Sequence, residues 1–447
     1  MEVTFPTKPF RTHGGAKVPH HKNTAAQESV AMPVPKRVTI AMQQHIGAPC
    51  TPLVKKGDPV FLGQKIGDSS AFVSAPIHAS VSGTVAEITK VSLPGGQVVD
   101  AIAIDSDGQM TPDPAIAPPT VNSIQDLIAA ARDSGLVGLG GAGFPTHVKL
   151  NIPPDKKVDT LIVNVAECEP YITADNREAL ENSWDVLSGV YTLKEFLDIE
   201  RVIIAVENNK PEVIQVLRDI AYNDTRDPEN RVRILAIKSQ YPQGAEKVLV
   251  QTCTGRKIPP GKLPSDVGCL IMNVTSVAFL SRYLKTGMPL VSRRVTIDGS
   301  AIAEPKNVIA PIGTKISEII AFCGGYRAEP KKILMGGPMM GLALTTDDTP
   351  LLKQNNGILA FDEHEAHTME PTACIRCGRC VTGCPMNLVP SMLEKYTAVK
   401  DIEALNRYGI STCMECGTCV YNCPAGRPLV QAIRLGKSLV KNAGGKK

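Results

Sequence analysis

Two runs of four cysteines near the C-terminal end hold the densest chemistry in the chain. Cys374-Ile-Arg-Cys377-Gly-Arg-Cys380-Val-Thr-Gly-Cys384-Pro385 recurs as Cys413-Met-Glu-Cys416-Gly-Thr-Cys419-Val-Tyr-Asn-Cys423-Pro424. Three thiolates at three-residue steps can wrap one face of an iron–sulfur cubane, and the proline after the fourth cysteine turns the chain toward a second one. The fourth ligand is therefore expected to cross over. One 4Fe–4S cluster is assigned to Cys374, Cys377, Cys380 and Cys423, and the other to Cys413, Cys416, Cys419 and Cys384. A pair of zinc knuckles is the competing reading. Four cysteines within eleven residues, twice, do not match the paired two-cysteine blocks of structural zinc sites. Two such clusters side by side would move electrons one at a time.

The second chemistry-bearing stretch lies mid-chain. Gly135-Leu-Val-Gly138-Leu-Gly140-Gly141-Ala-Gly143-Phe144-Pro145-Thr146-His147-Val-Lys149 contains a G-x-G-x-x-G at Gly138, Gly140 and Gly143. In a dinucleotide fingerprint a strand precedes the glycines and a helix follows. Here a predicted helix, with Asn122 or Ser123 as N-cap and Ile124, Leu127, Ile128 and Ala131 on one face, comes before them, and a predicted strand over 159–165 comes after. That order argues against a standard Rossmann turn. Crowded glycines still let backbone N–H groups approach a phosphate, with Lys149 as counter-charge, unless the loop serves only tight packing. At the end of the predicted strand stands Asn164-Val-Ala-Glu167-Cys168-Glu169-Pro170, where open α/β sheets place their ligands. Its carboxylates could accept hydrogen bonds from ribose hydroxyls or a flavin ring, or they could simply start a helix.

These sites need a frame, and the composition supplies several units. At 447 residues, with 43% hydrophobic and 21% charged residues, the chain predicts about three or four folded domains of ~150 residues. Residues 1–30, with His13, His20 and His21, read as an extended arm without metal-ligand spacing. Residues 31–107 carry short β-branched runs (Arg37–Ile40, Ala71–Val73, Gly83–Ile88, Gln97–Val99) cut by Gly and Pro, the pattern of a small antiparallel β unit. A Pro-rich linker over 108–121 leads to an α/β domain over 122–289. In it Arg201–Val206 and Val232–Ile237 are expected as buried strands around a helix at 210–222, giving a mainly parallel sheet. A third unit over 290–345 has a strand at Arg294–Asp298 and a helix near Lys315–Cys323, with Met339 and Met340 as packing residues. The cysteine domain is placed at 346–436, with His364 and His367 in its leading link, and a basic tail at 437–447.

The 13 cysteines leave Cys50, Cys168, Cys253, Cys269 and Cys323 scattered singly, as in reducing compartments. The first fifteen residues lack the apolar core of a signal peptide. No run reaches the ~20 apolar residues of a bilayer helix, and the uncharged run over 267–281, broken by Asn273, Thr275, Ser276 and Ser281, falls short of it. A net charge of +4 gives no support for nucleic-acid binding. Lys437, Lys441, Lys446 and Lys447 could touch an anionic surface, or they form a solvated end.

Several stretches resemble known families. Val54-Lys-Lys-Gly57-Asp58 through Lys-Ile66, followed by Ala75-Pro76-Ile-His78 through Thr-Val85, is similar to the biotinyl/lipoyl barrel-sandwich hybrid. No lysine lies between Gly67 and Ile77 to carry a prosthetic group, so a scaffold or docking role is expected. The glycine loop ending Gly-Phe-Pro-Thr, with the Asn-x-x-Glu-x-Glu-Pro block, resembles the flavin- and NADH-binding subunit of respiratory complex I. Gln240 to Lys247, Thr254 to Pro260 and Val267 to Val274 keep that family's order of landmarks. The resemblance implies FMN contacts at Gly138, Gly140, Lys149, Asn164 and Asn273, with Gly141 and Gly143 of the same loop as cofactor-binding residues. It implies flavin or nicotinamide contacts at Phe144, a cofactor-binding candidate, and at Glu167, Glu169 and Glu246, the catalytic candidates. Where complex I has a glycine and two glutamates, this chain has Gly244-Ala245-Glu246.

Residues 290–343 resemble the β-grasp module that follows the flavin domain in the same family. The whole order resembles the RnfC family of the Rnf complexes, the ion-translocating ferredoxin:NAD oxidoreductases. That resemblance implies a multidomain α/β and β chain: barrel-sandwich hybrid, complex I-type α/β flavin domain, β-grasp, and α-helical dicluster ferredoxin domain. It implies FMN, NAD(H) and two 4Fe–4S clusters as cofactors, and NADH oxidation, reversible, as the activity. It further implies integral membrane and iron–sulfur subunits as partners, ferredoxin indirectly, and a peripheral place on the cytoplasmic face of the bacterial inner membrane. A soluble flavin/iron–sulfur reductase, such as a cobalamin reductase with these modules in another order, and a non-catalytic electron relay are the other readings.

Overall fold

Four parallel strands form the sheet on which the middle of the chain is built: β1 (Thr160–Val165), β2 (Arg201–Glu207), β3 (Val232–Ile237) and β4 (Cys269–Asn273). Their spatial order is β3-β2-β1-β4, so the direction of winding reverses between β1 and β4. The apolar runs of β1 and β2 are buried along their whole length, which a parallel sheet covered on both faces demands. The structure, a computed structural model, describes residues 5–229 and 231–444. Lys446 and Lys447 lie outside the described residues.

Helices cover the sheet. The expected first one, α1 (Ile124–Asp133), starts where Ser123 Oγ accepts the Asp126 N–H, and it buries Leu127, Ala130 and Ala131. Pro211–Asn223 links β2 to β3. α2 (Ala174–Glu181) follows β1, and α3 (Val274–Thr286) leaves β4 directly.

In the barrel-sandwich unit Arg37–Ala41, Gly83–Ser92 and Val98–Ser106 pair antiparallel around Val38, Ile40, Ile102 and Ile104. The Ala71–Val73 run, expected as a strand, is instead a bend between Lys65–Asp68 and Ile77–His78. Docking pulls it out of the sheet. Arg132 of α1 holds Asp68 and the Ser69 carbonyl, and His147 Nε2 meets the Phe72 carbonyl. The 108–121 segment lies along the same unit, with Leu62 N–H donating to Thr111 O and Asp113 N–H to Leu62 O.

The β-grasp sheet has six strands and gathers residues from outside its expected bounds. Gly357–Phe361, placed by the sequence reading with the cysteine domain, lies between Ser292–Asp298 and Lys332–Met335. Val30–Ala31 pairs with Lys306–Pro311 at an edge, so the N-terminal arm ends as a strand of this sheet. The cysteine domain packs Pro390–Ala398, Ile402–Arg407 and α4 (Leu429–Gly444) around Leu393, Leu405 and Ile433. α4 continues through the boundary expected at 436, so Lys437 and Lys441 are helical and not part of a loose tail. No helix among the described residues is long and apolar enough to cross a membrane.

Candidate functional site

Where winding reverses in an open α/β sheet, the carboxyl ends of the strands leave a crevice for ligands. Asn164 of β1 and Asn273 of β4 are register partners at that point. Both amides are held. Asn273 Oδ1 accepts the N–H groups of Thr275 and Ser276 as N-cap of α3, while its Nδ2 donates to Asp175 Oδ2 at 2.7 Å. Asn164 donates to Gly244 O at 2.9 Å and accepts the Ala166 N–H at 3.0 Å.

The glycine loop lies across the start of α3. It closes through the Gly138 N–H on Phe144 O at 2.9 Å and is pinned by Leu139 N–H on Ser276 Oγ at 3.2 Å. A Cβ on Gly140 would sit 2.7 Å from Asn273 Nδ2, closer than any side chain tolerates, so only glycine lets the loop rest there. Gly141, at φ +156°, and Gly143, at φ +66°, take conformations other residues avoid, and Gly141 faces open space. Lys149 donates to Glu246 Oε1 at 2.8 Å and to Ile271 O at 3.1 Å, two residues before Asn273 on β4.

The two acidic residues of the 167–169 block part company. Glu167 is buried and turns into α2, where Oε1 accepts the Asp175 N–H at 2.7 Å and Oε2 the Asn176 N–H at 3.3 Å. It has taken the helix-start role rather than a place in the crevice. Burial pushes its carboxyl up to about 7, against the pull of Lys22 and Lys210. Glu169 points the other way and accepts the Met339 and Met340 N–H groups at 2.9 Å each. Burial raises it too, to about 7, with the two N–H groups opposing. With Gly140, Gly141, Met340 and Asn355 it lines a cavity of ≈ 1110 Å³ between flavin-type, β-grasp and barrel-sandwich units.

Sequence reasoning missed Lys22. Its ammonium donates to the carbonyls of Glu167 (2.7 Å), Glu169 (2.8 Å) and Ile172 (2.5 Å), fastening the loop that presents Glu169. Nothing in local spacing ties an arm residue to a loop 145 residues away.

The cysteine runs fold as two copies of one turn. Arg376 and Glu415 both have positive φ (+54° and +57°), as do Gly378 and Gly417 (+76° and +77°), and each turn leads into a short helix. Cys413, Cys416, Cys419 and Cys384 line one common cavity, the crossover set expected for one cluster. The other set is drawn together by the Thr372 N–H on Ala425 O and by Arg427 donating to Thr372 O, which bring the segment leading to Cys374 toward the Cys423–Ala425 stretch. Among the described residues no three His, Cys, Asp or Glu converge tightly enough for a single ion. The crossover set at one cavity, with three cysteines at three-residue steps and a fourth from the other run, fits a cluster better than a zinc knuckle. Burial pushes the Cys384, Cys413 and Cys419 thiols up, so binding iron there must also expel their protons.

The two sets differ in setting. Tyr241 Oη donates to Cys416 O at 2.6 Å, and a Cβ on Gly417 would meet Met339 O at 2.7 Å, which seats the second turn against the flavin-type domain and the β-grasp unit. Cys374 and Cys377 are exposed.

Residues 131–282 match the Nuo51 FMN-binding domain, 10–109 the RnfC barrel sandwich hybrid domain, 294–343 the SLBB domain and 373–427 a 4Fe-4S dicluster domain. The C component of the proton-translocating ferredoxin:NAD(+) oxidoreductase complex of Clostridium ljungdahlii is 45% identical over 98% of this chain and 95% of its own length. The chain belongs to the RnfC family. The Na(+)-translocating counterpart of Acetobacterium woodii is 42% identical over 86% of both chains. The C component of the ion-translocating oxidoreductase complex of Rhodobacter capsulatus is 39% identical over 97% of this chain and 83% of its own. Among solved structures, an NAD+-reducing [NiFe]-hydrogenase matches 70% of this chain and 63% of its own at 17% identity and a TM-score of 0.50, a likeness of fold. As a member of the RnfC family, the protein is an oxidoreductase subunit with an FMN domain and a 4Fe–4S dicluster domain.

Proposed function

We propose that this subunit is the NADH-oxidising entry of its complex, working reversibly, and that two 4Fe–4S clusters pass the electrons on to partner subunits. FMN, when bound, supplies the exchange between a hydride's paired electrons and the single electrons an iron–sulfur cluster accepts. The chain's own residues do the positioning. The turn at Gly140 and Gly141, where Gly141 faces open space, suits the approach of a phosphate, with Lys149, held on Ile271 O of β4, as its counter-charge. Asn164 and Asn273 present fixed amides at the winding reversal for the ring system, with Phe144 closing the loop. Glu169 faces the cavity a nicotinamide would enter, and Glu246 is paired with Lys149.

One observation carries the reading above the others. The crevice and the buried cysteine set share a wall, because the Glu169 loop holds Met339 while Met339 and Tyr241 abut the Cys416–Gly417 turn. Paired electrons arriving at the crevice are then next to a one-electron acceptor. The relatives' names support integral partner subunits of the same complex, and we place this chain on their cytoplasmic face. NADH added to the isolated, cluster-loaded chain should bleach its flavin band and reduce an artificial one-electron acceptor. A chain that holds clusters but no flavin would refute it.

A further inference from the structure

The duplicated cysteine turns have equivalent backbones and opposite surroundings. At one position the second turn carries Glu415, whose carboxylate is neutralised within the chain by Arg434 at 2.8 Å and Lys437 at 2.7 Å. The first turn carries Arg376 there, and Arg379 stands where the second has Thr418. Both guanidinium groups are exposed, and among the described residues neither has an ion pair or side-chain hydrogen bond. Ile375, between Cys374 and Arg376, is 66% exposed. The second turn is seated against Tyr241 and Met339, whereas nothing among the described residues covers the first.

From this asymmetry we infer that the Cys374–Arg379 turn is the docking surface for a small acidic protein or domain that carries its own iron–sulfur cluster. The inference rests on the proposed function, in which electrons leave through the clusters. Uncovered ligands put a redox centre at contact distance, the apolar Ile375 offers a dry centre, and the unneutralised Arg376 and Arg379 select an acidic face and steer its approach. The transfer is balanced simply. One electron leaves this chain's cluster and reduces the partner's oxidised cluster, no bond forms or breaks, and two encounters discharge the pair delivered by one hydride.

The test copies the second turn into the first. Arg376→Glu with Arg379→Thr removes the positive face, and the backbone accepts it, since Glu415 and Thr418 already occupy the equivalent places. The full chain, loaded with FMN and clusters, is titrated calorimetrically with a small acidic two-cluster ferredoxin as probe, at low salt and at ~0.15 M salt. The double variant should bind about tenfold more weakly, with a flatter salt dependence. A control, Lys55→Glu with Lys56→Glu on the barrel-sandwich surface, changes more charge and should shift binding less than about twofold. Equal weakening by both variants, an unaffected double variant, or no binding by the unaltered chain would each overturn the docking surface. Absorbance confirms cluster content, and Arg376→Glu alone repeats the test if the double variant loses iron. In the same samples NADH should still bleach the flavin and reduce the clusters. Failure of that step in the unaltered chain sinks the electron-entry reading instead.

Discussion

Gly140→Ala tests the geometry of the crevice with a single methyl group. Its Cβ would stand 2.7, 3.1 and 3.4 Å from Nδ2, Cγ and Cβ of Asn273. Asn273 cannot step aside freely, because Oδ1 caps α3 and Nδ2 is bound to Asp175. Forcing a methyl into a packed contact costs about 1–3 kcal/mol, and losing the Asn273 cap costs about 1 kcal/mol more. A total of about 2–4 kcal/mol corresponds to a drop in apparent melting midpoint on the order of 5–10 °C for a domain of this size. Gly138→Ala is the matched control, since its nearest neighbour would be at 3.6 Å and its φ is not positive. FMN binding by fluorescence quenching and thermal unfolding of the full chain should both suffer in Gly140→Ala and stay near the unaltered values in Gly138→Ala. If Gly140→Ala binds FMN and melts like its control, the loop does not lie on α3 as described, and the assignment of the flavin cradle fails.

Four other variants read other parts of the molecule. Cys384→Ser should remove the cluster of Cys413, Cys416 and Cys419 and leave the other, so iron analysis should show about half the metal lost; loss of the Cys374–Cys380 cluster instead would refute the crossover. Glu169→Gln keeps shape but cannot titrate, so the inflection near pH 7 that a carboxyl raised to about 7 gives NADH-driven reduction should vanish; an unchanged profile places that inflection elsewhere. Lys22→Met leaves three loop carbonyls without their donor, at a cost of about 1–3 kcal/mol for each one left unsatisfied, and leaves Lys210 as the remaining cation acting on Glu167; thermal unfolding with FMN content should fall together. Lys353, buried and donating to Pro76 O and Gly135 O, has its ammonium lowered by burial from 10.5 to about 7, with Cys50 and Asp68 opposing and His45 and His78 also facing it. The unfolded chain then binds more protons between pH 7 and 10.5, so this site's contribution to stability is least below pH 7 and rises across that window; in Lys353→Met that rise should disappear from the melting midpoint.

How far the sequence alone reached follows the range of the forces at each place. Ser123, Leu127 and Ala131 act within one turn or one face, so α1 was legible from its cap and periodicity. The cysteine turns were legible for the same reason, since all the information sits in three-residue steps and a proline. β1 and β2 were legible because parallel strands buried on both faces read as continuous apolar runs. Gly357–Phe361 was assigned to the wrong unit because its place depends on Ser292–Asp298, about sixty residues earlier, and no local signal carries that pairing. Ala71–Val73 has strand composition, yet contacts from α1 and His147 bend it. Glu167 and Glu169 differ only in which way the chain turns after Asn164. Two residues of identical chemistry therefore became a helix cap and a cavity wall.

The arm explains why these modules act as one body. Between residues 15 and 31 it touches the other units in turn: Gly15 N–H donates to Gly383 O in the cysteine domain, and Ala16 bridges Tyr241. Lys22 then fastens the Glu169 loop, Asn23 meets Asp298, Thr24 O accepts from Asn307, and Val30–Ala31 joins the β-grasp sheet. Each contact is modest, yet together they fix the Cys416 turn, the Tyr241 ring and the Glu169 loop to one strand of chain. Electron transfer between two centres depends steeply on their separation, so a hinge between the crevice and the buried cysteine set would defeat the exchange. The exposed turn has no such restraint, which suits a partner that must arrive, take one electron and leave.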